Sequence, residues 1–182
     1  MRFNYAEACQ PCNLKSRIMN RADQLIEKLN LTEHPEGGYF RETYRSKEVW
    51  AAGSGTEFPE GRSYSTAIYY LLRGEDRSKL HRIKSDELWH FYEGTSATIH
   101  VIHSGGRYET LHLGEDLEKG QRFQHTVPAG SWFGVTVDDP NGYMLAGCTV
   151  SPGFDFKDFE MADRDTLKVS FPEHSEIIER LT

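Results

Sequence analysis

From Ser65 onward the chain is a series of short apolar runs, and glycine or proline separates almost every run from the next. Runs rich in aromatic and β-branched residues are typical of β-strands, whereas helices need longer stretches with apolar residues three and four positions apart. The predicted strands are residues 65–72, 79–83, 87–92, 97–103, 108–113, 123–127, 132–137 and 143–150. Because they follow one another at near-regular spacing, we predict an all-β sandwich or barrel.

Helices are predicted only at the two ends of this β region. Asn20 is a candidate N-cap for a short helix over residues 21–30, whose apolar residues fall on one side. Residues 39–44 read as a further strand, residues 156–162 as a turn of helix, and residues 174–181 as a terminal helix. The chain is therefore expected to be a β domain with one short helix at each end.

One domain with a short leader accounts for the whole chain. We expect residues 1–18 to be an irregular N-terminal extension and residues 19–182 to form a single domain, because 182 residues suit one hydrophobic core. Cys9 and Cys12 form a C-x-x-C pair in the extension, but no second pair completes a zinc site.

Charge and hydropathy argue against two classes of partner. The formal net charge of −7 disfavours binding to the phosphates of nucleic acids. No run approaches the roughly 20 apolar residues that a membrane span needs. The N-terminus also lacks the apolar region of a signal peptide. We therefore expect a cytoplasmic protein with a small-molecule ligand and with no nucleic acid or membrane partner.

One motif narrows the β prediction further. In residues 81–94, His81, Glu87 and Gly94 stand at the spacing of the first cupin motif, which reads H-x-H, three residues, E, six residues, G. Ile83 occupies the position of the second histidine. The motif is therefore kept at its strand and turn positions and is broken at one metal ligand.

The second cupin motif is also partly kept. Pro128-Ala129-Gly130 supplies its P-x-G, and Phe133 stands where the motif has a histidine three residues later. The chain thus resembles the cupin superfamily, but two of the usual metal ligands are apolar side chains that cannot coordinate. We expect no metal and no other cofactor. The alternative is a metal held with the help of His125 or Cys148.

Five strings resemble one particular group of cupins, which is usually filed as a domain of unknown function. They lie at residues 34–46, 66–72, 85–94, 127–133 and 147–160. The resemblance implies a jelly-roll barrel, or double-stranded β-helix, and usually a homodimer. The group is similar in fold to the dTDP-sugar epimerases of rhamnose synthesis, to germins and to seed storage proteins. Similarity of fold does not by itself imply their activities.

Side chains that alternate along strands define a candidate site. If His81 and Glu87 keep their cupin positions, both point into the barrel as a catalytic pair, in which the carboxylate orients the imidazole as a general base. The alternative is a buried hydrogen-bonded pair left over from an ancestral metal site. Four apolar side chains would line the same interior and contact the substrate: Ile83, Trp89, Phe91 and Phe133.

An arginine is expected at the barrel mouth. Strand alternation puts Tyr39, Arg41, Thr43 and Arg45 on one face. Arg41 is our candidate to grip a carboxylate or phosphate by two parallel hydrogen bonds, and its alternative is a salt bridge with a nearby glutamate. Cys148 is predicted to be a buried, inert thiol, because no basic residue adjoins it in sequence.

Three functions are compatible with these residues. The first is a metal-independent epimerase or isomerase acting on a sugar-like or nucleotide-linked molecule, with His81 as base. The second is a non-catalytic cupin that binds a small molecule as a sensor or carrier. The third is a dioxygenase or isomerase that holds a metal through an unusual ligand set. Elemental analysis separates the third function from the other two.

Overall fold

The structure, a computed structural model, describes residues 19–51 and 57–182. The predicted extension over residues 1–18, with Cys9 and Cys12, lies outside the described residues. Two antiparallel sheets pack face to face, and helices lie at both ends of the described chain.

The strands follow the order of a jelly roll. They are β1 (Thr32–Glu33), β2 (Tyr39–Arg45), β3 (Val49–Trp50), β4 (Arg62–Ser63), β5 (Thr66–Arg73), β6 (Arg77–Arg82), β7 (Asp86–Gly94), β8 (Ala97–Ile102), β9 (Tyr108–Leu113), β10 (Gln124–Val127), β11 (Trp132–Val137), β12 (Tyr143–Ser151) and β13 (Glu160–Met161). The larger sheet has the order β1-β2-β5-β12-β7-β10 and the smaller one β13-β6-β11-β8-β9, while β3 pairs with β4. The predicted all-β jelly-roll architecture is confirmed.

The main core lies between the two sheets. Leu72 and Met144 from the larger sheet meet Ile99, Val101 and Val135 from the smaller one, and all five are fully buried. The first halves of β6 and β7 alternate buried and more exposed positions, as expected when one face packs on a core, whereas β8, β11 and β12 are buried along most of their length. Burial of this apolar surface holds the sheets together and leaves one end of the sandwich free to form a cavity.

The predicted N-terminal helix is confirmed as α1 (Arg21–Leu29). The side chain of Asn20 accepts a hydrogen bond of 2.8 Å from the backbone N–H of Asp23, which is the N-cap that the sequence predicts. Leu25 packs with Leu71 on the outer side of the larger sheet. The helix therefore covers part of the face that is turned away from the cavity.

Two helices end the chain, namely α2 (Arg164–Ser170) and α3 (Ser175–Arg180). The second confirms the predicted terminal helix, and its Ile178 packs against Leu80 on the outside of the smaller sheet. The first was not predicted, because Leu167 is its one buried residue and a single apolar anchor gives no periodic stripe. None of the helices in the described ranges is long and apolar enough to cross a membrane.

The strand predictions agree closely with the structure. Every predicted strand corresponds to β2 or to one of β5–β12, with ends displaced by no more than two residues. The predicted helical turn over 156–162 is a single 3₁₀ turn, Phe156–Asp158, followed by β13. Two-residue strands such as β1 and β3 were missed, because they are too short to show an alternating pattern.

A bulge in β2 changes the face on which its last residue lies. The pairing of β2 with β5 shifts register between Glu42 and Tyr44, so Thr43 is an extra residue. Arg45 therefore turns onto the face of Glu42, while Arg41 stays on the opposite face. The prediction that Arg41, Thr43 and Arg45 share one face is wrong beyond the bulge.

Candidate functional site

A cavity of about 280 Å³ lies between the two sheets, close to one end of the sandwich. Its buried part carries polar groups, namely Glu36 from the loop before β2, His81 from β6, Glu87 from β7 and Cys148 from β12. Its outer part, here called the aromatic mouth, is formed by His34, Phe40, Phe154, Phe156 and Phe159. The cavity thus combines a polar interior with an aromatic entrance.

His81 and Glu36 form a buried pair in this cavity. The Nε2 atom of His81 lies 3.0 Å from Oε2 of Glu36, and the two side chains are only 3% and 6% exposed. The other carboxylate oxygen of Glu36 accepts a hydrogen bond of 3.0 Å from the Ser78 hydroxyl. Because little water reaches this place, the electrostatic attraction between imidazole and carboxylate is stronger than it would be at the surface.

Hydrogen bonding determines where the protons of His81 lie. Its Nδ1 atom is 2.7 Å from the carbonyl oxygen of Lys79, which can only accept, so Nδ1 carries a proton. A second proton lies between Nε2 and the Glu36 carboxylate, because two bare lone pairs 3.0 Å apart would repel each other. Both ring nitrogens of His81 are therefore used in hydrogen bonds. Within the His81–Glu36 pair, the lone pairs that can still accept a proton are those of the Glu36 carboxylate.

A tight glycine turn brings Glu36 to β6. The backbone N–H of Lys79 donates to the carbonyl oxygen of Glu36 at 2.9 Å, and the Tyr70 hydroxyl donates to the carbonyl oxygen of Gly37 at 2.7 Å. Gly37 has φ +114°, and a Cβ atom there would lie 2.2 Å from the carbonyl oxygen of Arg77. Only glycine permits this approach. Glu36 was not predicted as a site residue.

Glu87 enters the cavity from the larger sheet. It is 8% exposed, and its burial, together with the negative charge of Glu36, raises its pKa to about 8. Cys148 lines the same cavity as Glu87, and burial raises the pKa of its thiol well above the usual range. At neutral pH Glu87 is therefore mainly a neutral carboxylic acid that can donate a proton.

The predicted pairing of His81 with Glu87 is wrong. The partners of the His81 ring nitrogens are Lys79 and Glu36, whereas Glu87 approaches the same cavity from the facing sheet. The cupin motif correctly placed both residues in the interior, because it fixes their strand positions. It could not show that a loop preceding β2 supplies the carboxylate that reaches the imidazole.

The raised pKa of Glu87 predicts a pH-dependent stability. Its pKa in the folded protein, about 8, lies above the ordinary value of 4.5, so unfolding releases the proton of Glu87 between these two values. The free energy of unfolding should therefore fall by up to about 1 kcal/mol per pH unit as pH rises from about 5 to about 8.

Urea titrations across this pH interval measure the effect. Glu87→Gln should flatten the profile, because the amide has no proton to release. Glu160→Gln is the matched control on an exposed glutamate, and it should keep the slope of the parent. A parent protein whose stability is as flat with pH as that of Glu87→Gln would contradict the prediction.

Of the four predicted apolar contacts, only Ile83 lines the cavity. Phe133 packs under the imidazole of His81, with ring centroids 4.1 Å apart, and so supports the site without lining it. Trp89 is 1% exposed within the core, and Phe91 packs against that core from its edge. The prediction that Phe133, Trp89 and Phe91 line the cavity is wrong, because alternation gives the face of a strand but not how deep each residue lies.

Arg41 lies outside the cavity, so its prediction as an anion clamp at the mouth is wrong. Its Nη1 donates a hydrogen bond of 3.0 Å to the carbonyl oxygen of Leu29 at the end of α1. After the bulge, Arg45 reaches the cavity instead. Its Nε and Nη2 donate to the two carboxylate oxygens of Glu42 at 3.0 and 2.6 Å. An arginine salt bridge is thus present, but with another arginine than the one proposed.

The aromatic mouth was not predicted, although its signal is visible in the sequence. Three phenylalanines recur at positions 154, 156 and 159, directly after the last long strand. Phe154 and Phe156 are 5.0 Å apart at 80°, and Phe156 and Phe159 are 5.9 Å apart at 76°. A buried ion pair between Asp158 and Arg62, with N–O distances of 2.5 and 2.9 Å, fixes this segment to the sandwich.

The side chains of the cavity do not fit a cupin metal. Ile83 and Phe133 replace two ligands, and both nitrogens of His81 are engaged by Lys79 and Glu36. In residues 19–51 and 57–182, no three His, Cys, Asp or Glu side chains are grouped so that they could hold a metal ion. His125, the proposed substitute ligand, instead bonds through Nε2 to the carbonyl oxygen of His112.

Comparison with known proteins identifies relatives along most of the chain. A family model described as "Cupin superfamily (DUF985)" matches residues 23–162. The uncharacterized protein YML079W of Saccharomyces cerevisiae is 32% identical over 157 residues, which are 80% of this chain and 77% of the yeast protein.

Solved structures are also similar to most of this chain. Protein SO0799 of Shewanella oneidensis has 39% identity and a TM-score of 0.80, covering 90% of this chain and 98% of that one. A hypothetical protein from Leishmania major has 35% identity and a TM-score of 0.83, covering 90% and 99%. Oxalate decarboxylase from Bacillus subtilis has 16% identity and a TM-score of 0.53, covering 82% of this chain and 36% of that one. The last similarity concerns the fold alone.

Proposed function

Because the chain belongs to the cupin family described as DUF985, we propose that it binds a small sugar-like molecule in the cavity and carries out a metal-independent epimerisation or isomerisation there. The strongest support is the placement of a proton acceptor and a proton donor in one enclosed space. Glu36, paired with His81 at 3.0 Å, is the acceptor, and the neutral Glu87 is the donor.

The proposed reaction moves one proton away from carbon and one onto oxygen. The Glu36 carboxylate takes the proton from a carbon beside a carbonyl group, and the electron pair of that C–H bond moves toward the carbonyl oxygen. Glu87 donates its proton to this oxygen, which gives an enol. In an epimerisation, Glu36 gives its proton to the opposite face of the same carbon after the enol has turned in the cavity, and Glu87 takes its proton back from the enol oxygen. In an isomerisation, Glu36 gives its proton to the neighbouring carbon, and Glu87 takes the proton of the hydroxyl group on the first carbon, which becomes the new carbonyl carbon. His81 holds the Glu36 side chain in position through the contact of 3.0 Å.

A sugar-like substrate is favoured over a nucleotide-linked one. Phosphates need free cationic groups, and guanidinium is the usual choice. Arg45 is the lining arginine within the described chain, and Glu42 and the carbonyl oxygen of Phe154 already hold it. The cavity of about 280 Å³ also suits a small molecule rather than a dinucleotide-sized one.

Deuterium exchange in D₂O tests the proposal. Aldoses, ketoses and their amino derivatives would be incubated with the protein, and mass spectrometry would detect deuterium at carbon. We expect exchange that continues at the full rate after treatment with a chelator, because no step uses a metal. Exchange that stops on chelation and returns with one added metal would contradict the metal-independent reaction.

A non-catalytic sensor or carrier is the second candidate. It is favoured by the aromatic mouth, since aromatic walls bind ligands without any acid or base. Thermal shifts against a metabolite library separate the two functions. A ligand that stabilises the parent and Glu36→Gln equally, with no exchange in either protein, would favour the sensor or carrier.

We also propose that the protein is a homodimer that uses the outer face of the larger sheet. Three large side chains are exposed there or beside it: Tyr44 at 55%, Tyr92 at 53% and Phe123 at 50%. Tyr92 and Phe123 line one shallow depression on this face, and aromatic side chains are enriched at interfaces.

Light scattering after size exclusion should give twice the chain mass of 20.9 kDa. We expect Tyr92→Asp to reduce that mass to one chain, because a buried unpaired charge disfavours an apolar interface. Val169→Asp is the control, since Val169 is 83% exposed on α2 and lies on another surface. A monomeric parent protein would rule out the dimer.

A further inference from the structure

Rings at steep angles to one another enclose the entrance of the cavity. Besides the phenylalanines already described, His34 and Phe40 are 4.5 Å apart at 86°. His34 also lies 6.1 Å from Phe159 at 87°, whereas it is nearly parallel to Phe156, at 24° and 6.2 Å. Aromatic rings that surround a space from several sides attract a cation through their negative faces.

The charges at the entrance have the sign that a cation needs. Asp155 lines the cavity, and its side chain accepts a hydrogen bond from the backbone N–H of Lys157, which leaves most of its lone pairs free. Glu42 and Arg45 neutralise each other. Burial lowers the pKa of His34, so its ring is mainly neutral at neutral pH. The titratable groups that line the entrance therefore leave one net negative charge, that of Asp155.

The cavity lining offers few free positive groups that could bind an anion. Arg45 is the arginine that lines the cavity within the described part of the chain. All three nitrogens of its guanidinium group already donate hydrogen bonds. Nε and Nη2 bind Glu42, and Nη1 binds the carbonyl oxygen of Phe154 at 3.0 Å. An anionic ligand would have to break a bidentate ion pair to gain this contact.

We propose that the ligand of this cavity is a small organic cation, whose ammonium or methylated ammonium group sits in the aromatic mouth beside Asp155. The aromatic rings and the Asp155 carboxylate bind the cationic group. Arg45 and Glu42 form an ion pair with each other and add no net charge to the site. This inference rests on the proposed function in one respect, because it takes the same cavity as the ligand site, and it narrows the sugar-like substrate to one that bears a positive charge.

Calorimetry with two probes of the same shape tests the inference. Choline carries a quaternary nitrogen, and 3,3-dimethylbutan-1-ol has carbon in its place and no charge. We expect choline to bind at least about fivefold more tightly than the alcohol, which corresponds to the upper end of the range for a cation against an exposed aromatic face. Inorganic phosphate should bind more weakly than choline.

Two variants with matched controls assign the contact. Phe156→Leu removes one ring of the mouth, and Asp155→Asn removes its charge while keeping a capping oxygen. Each should reduce the preference for choline over the alcohol. Trp50→Leu, on an equally exposed aromatic residue outside the cavity lining, and Asp163→Asn, on another capping aspartate, should leave it unchanged.

Three results would overturn the inference: equal or tighter binding of the alcohol, tighter binding of phosphate, or no measurable choline binding in the millimolar range. Failure of the proposed catalysis is a separate result. In that case no deuterium exchange is found in any sugar, while the preference for choline and its loss in Phe156→Leu persist. The converse result is deuterium exchange that depends on Glu36 while choline binds no more tightly than the alcohol. That result would support the proposed catalysis and contradict the proposal of a cationic ligand.

Discussion

Replacing Glu36 by glutamine should slow deuterium exchange at the substrate carbon by about 100-fold or more, which is the usual contribution of a positioned general base. Glutamine has nearly the shape of glutamate and can still bond to Ser78 and His81, so the fold should survive. It cannot take up a proton, because its carbonyl oxygen is far less basic than a carboxylate. The expected loss is therefore chemical rather than structural.

The rate of exchange in D₂O, followed by mass spectrometry, measures this effect. Glu160→Gln is the matched control, because Glu160 is an exposed partner of Arg82. This variant should catalyse the exchange at the rate of the parent protein. His81→Ala tests the other half of the pair, and it should also slow exchange, since the carboxylate loses the imidazole that orients it. His112→Ala is its control on an exposed histidine. A Glu36→Gln protein that exchanges at the parent rate would remove Glu36 as the proton acceptor.

Replacing Trp89 by alanine should lower the free energy of unfolding by about 3–5 kcal/mol, because a large buried side chain is deleted from a packed core. Trp89 is 1% exposed and meets Tyr70 edge to face, with ring centroids 5.5 Å apart. The expectation follows from its position in the core rather than in the cavity wall.

Urea unfolding measures this change, and Trp50→Ala provides the matched control. Trp50 is 53% exposed on β3, so its removal should alter the free energy of unfolding by less than about 1 kcal/mol. If Trp89→Ala does not fold, Trp89→Leu keeps part of the apolar volume and should show a smaller loss in the same direction. A Trp89→Ala protein as stable as Trp50→Ala would show that Trp89 is not part of the core.

The two halves of the site differ in how far a sequence can reveal them. His81, Ile83 and Glu87 belong to one motif on two strands, so strand alternation correctly placed all three in the cavity. Glu36 and the phenylalanines at 154, 156 and 159 come from turns, where no period relates a residue to the side it faces. Their roles therefore could not be predicted from spacing, although the glycine turn after Glu36 and the recurrence of phenylalanine were visible.

By itself, the sequence determined the class of fold, the positions of the long strands, the helix capped by Asn20 and the loss of two metal ligands at Ile83 and Phe133. These properties are local, since they depend on periodicity, on capping and on the chemistry of single side chains. Only the tertiary structure decided that Glu36, not Glu87, pairs with His81, and that Arg45, not Arg41, reaches the cavity. The first depends on where a loop packs against another strand, and the second on one extra residue at Thr43, which reverses the face of everything after it.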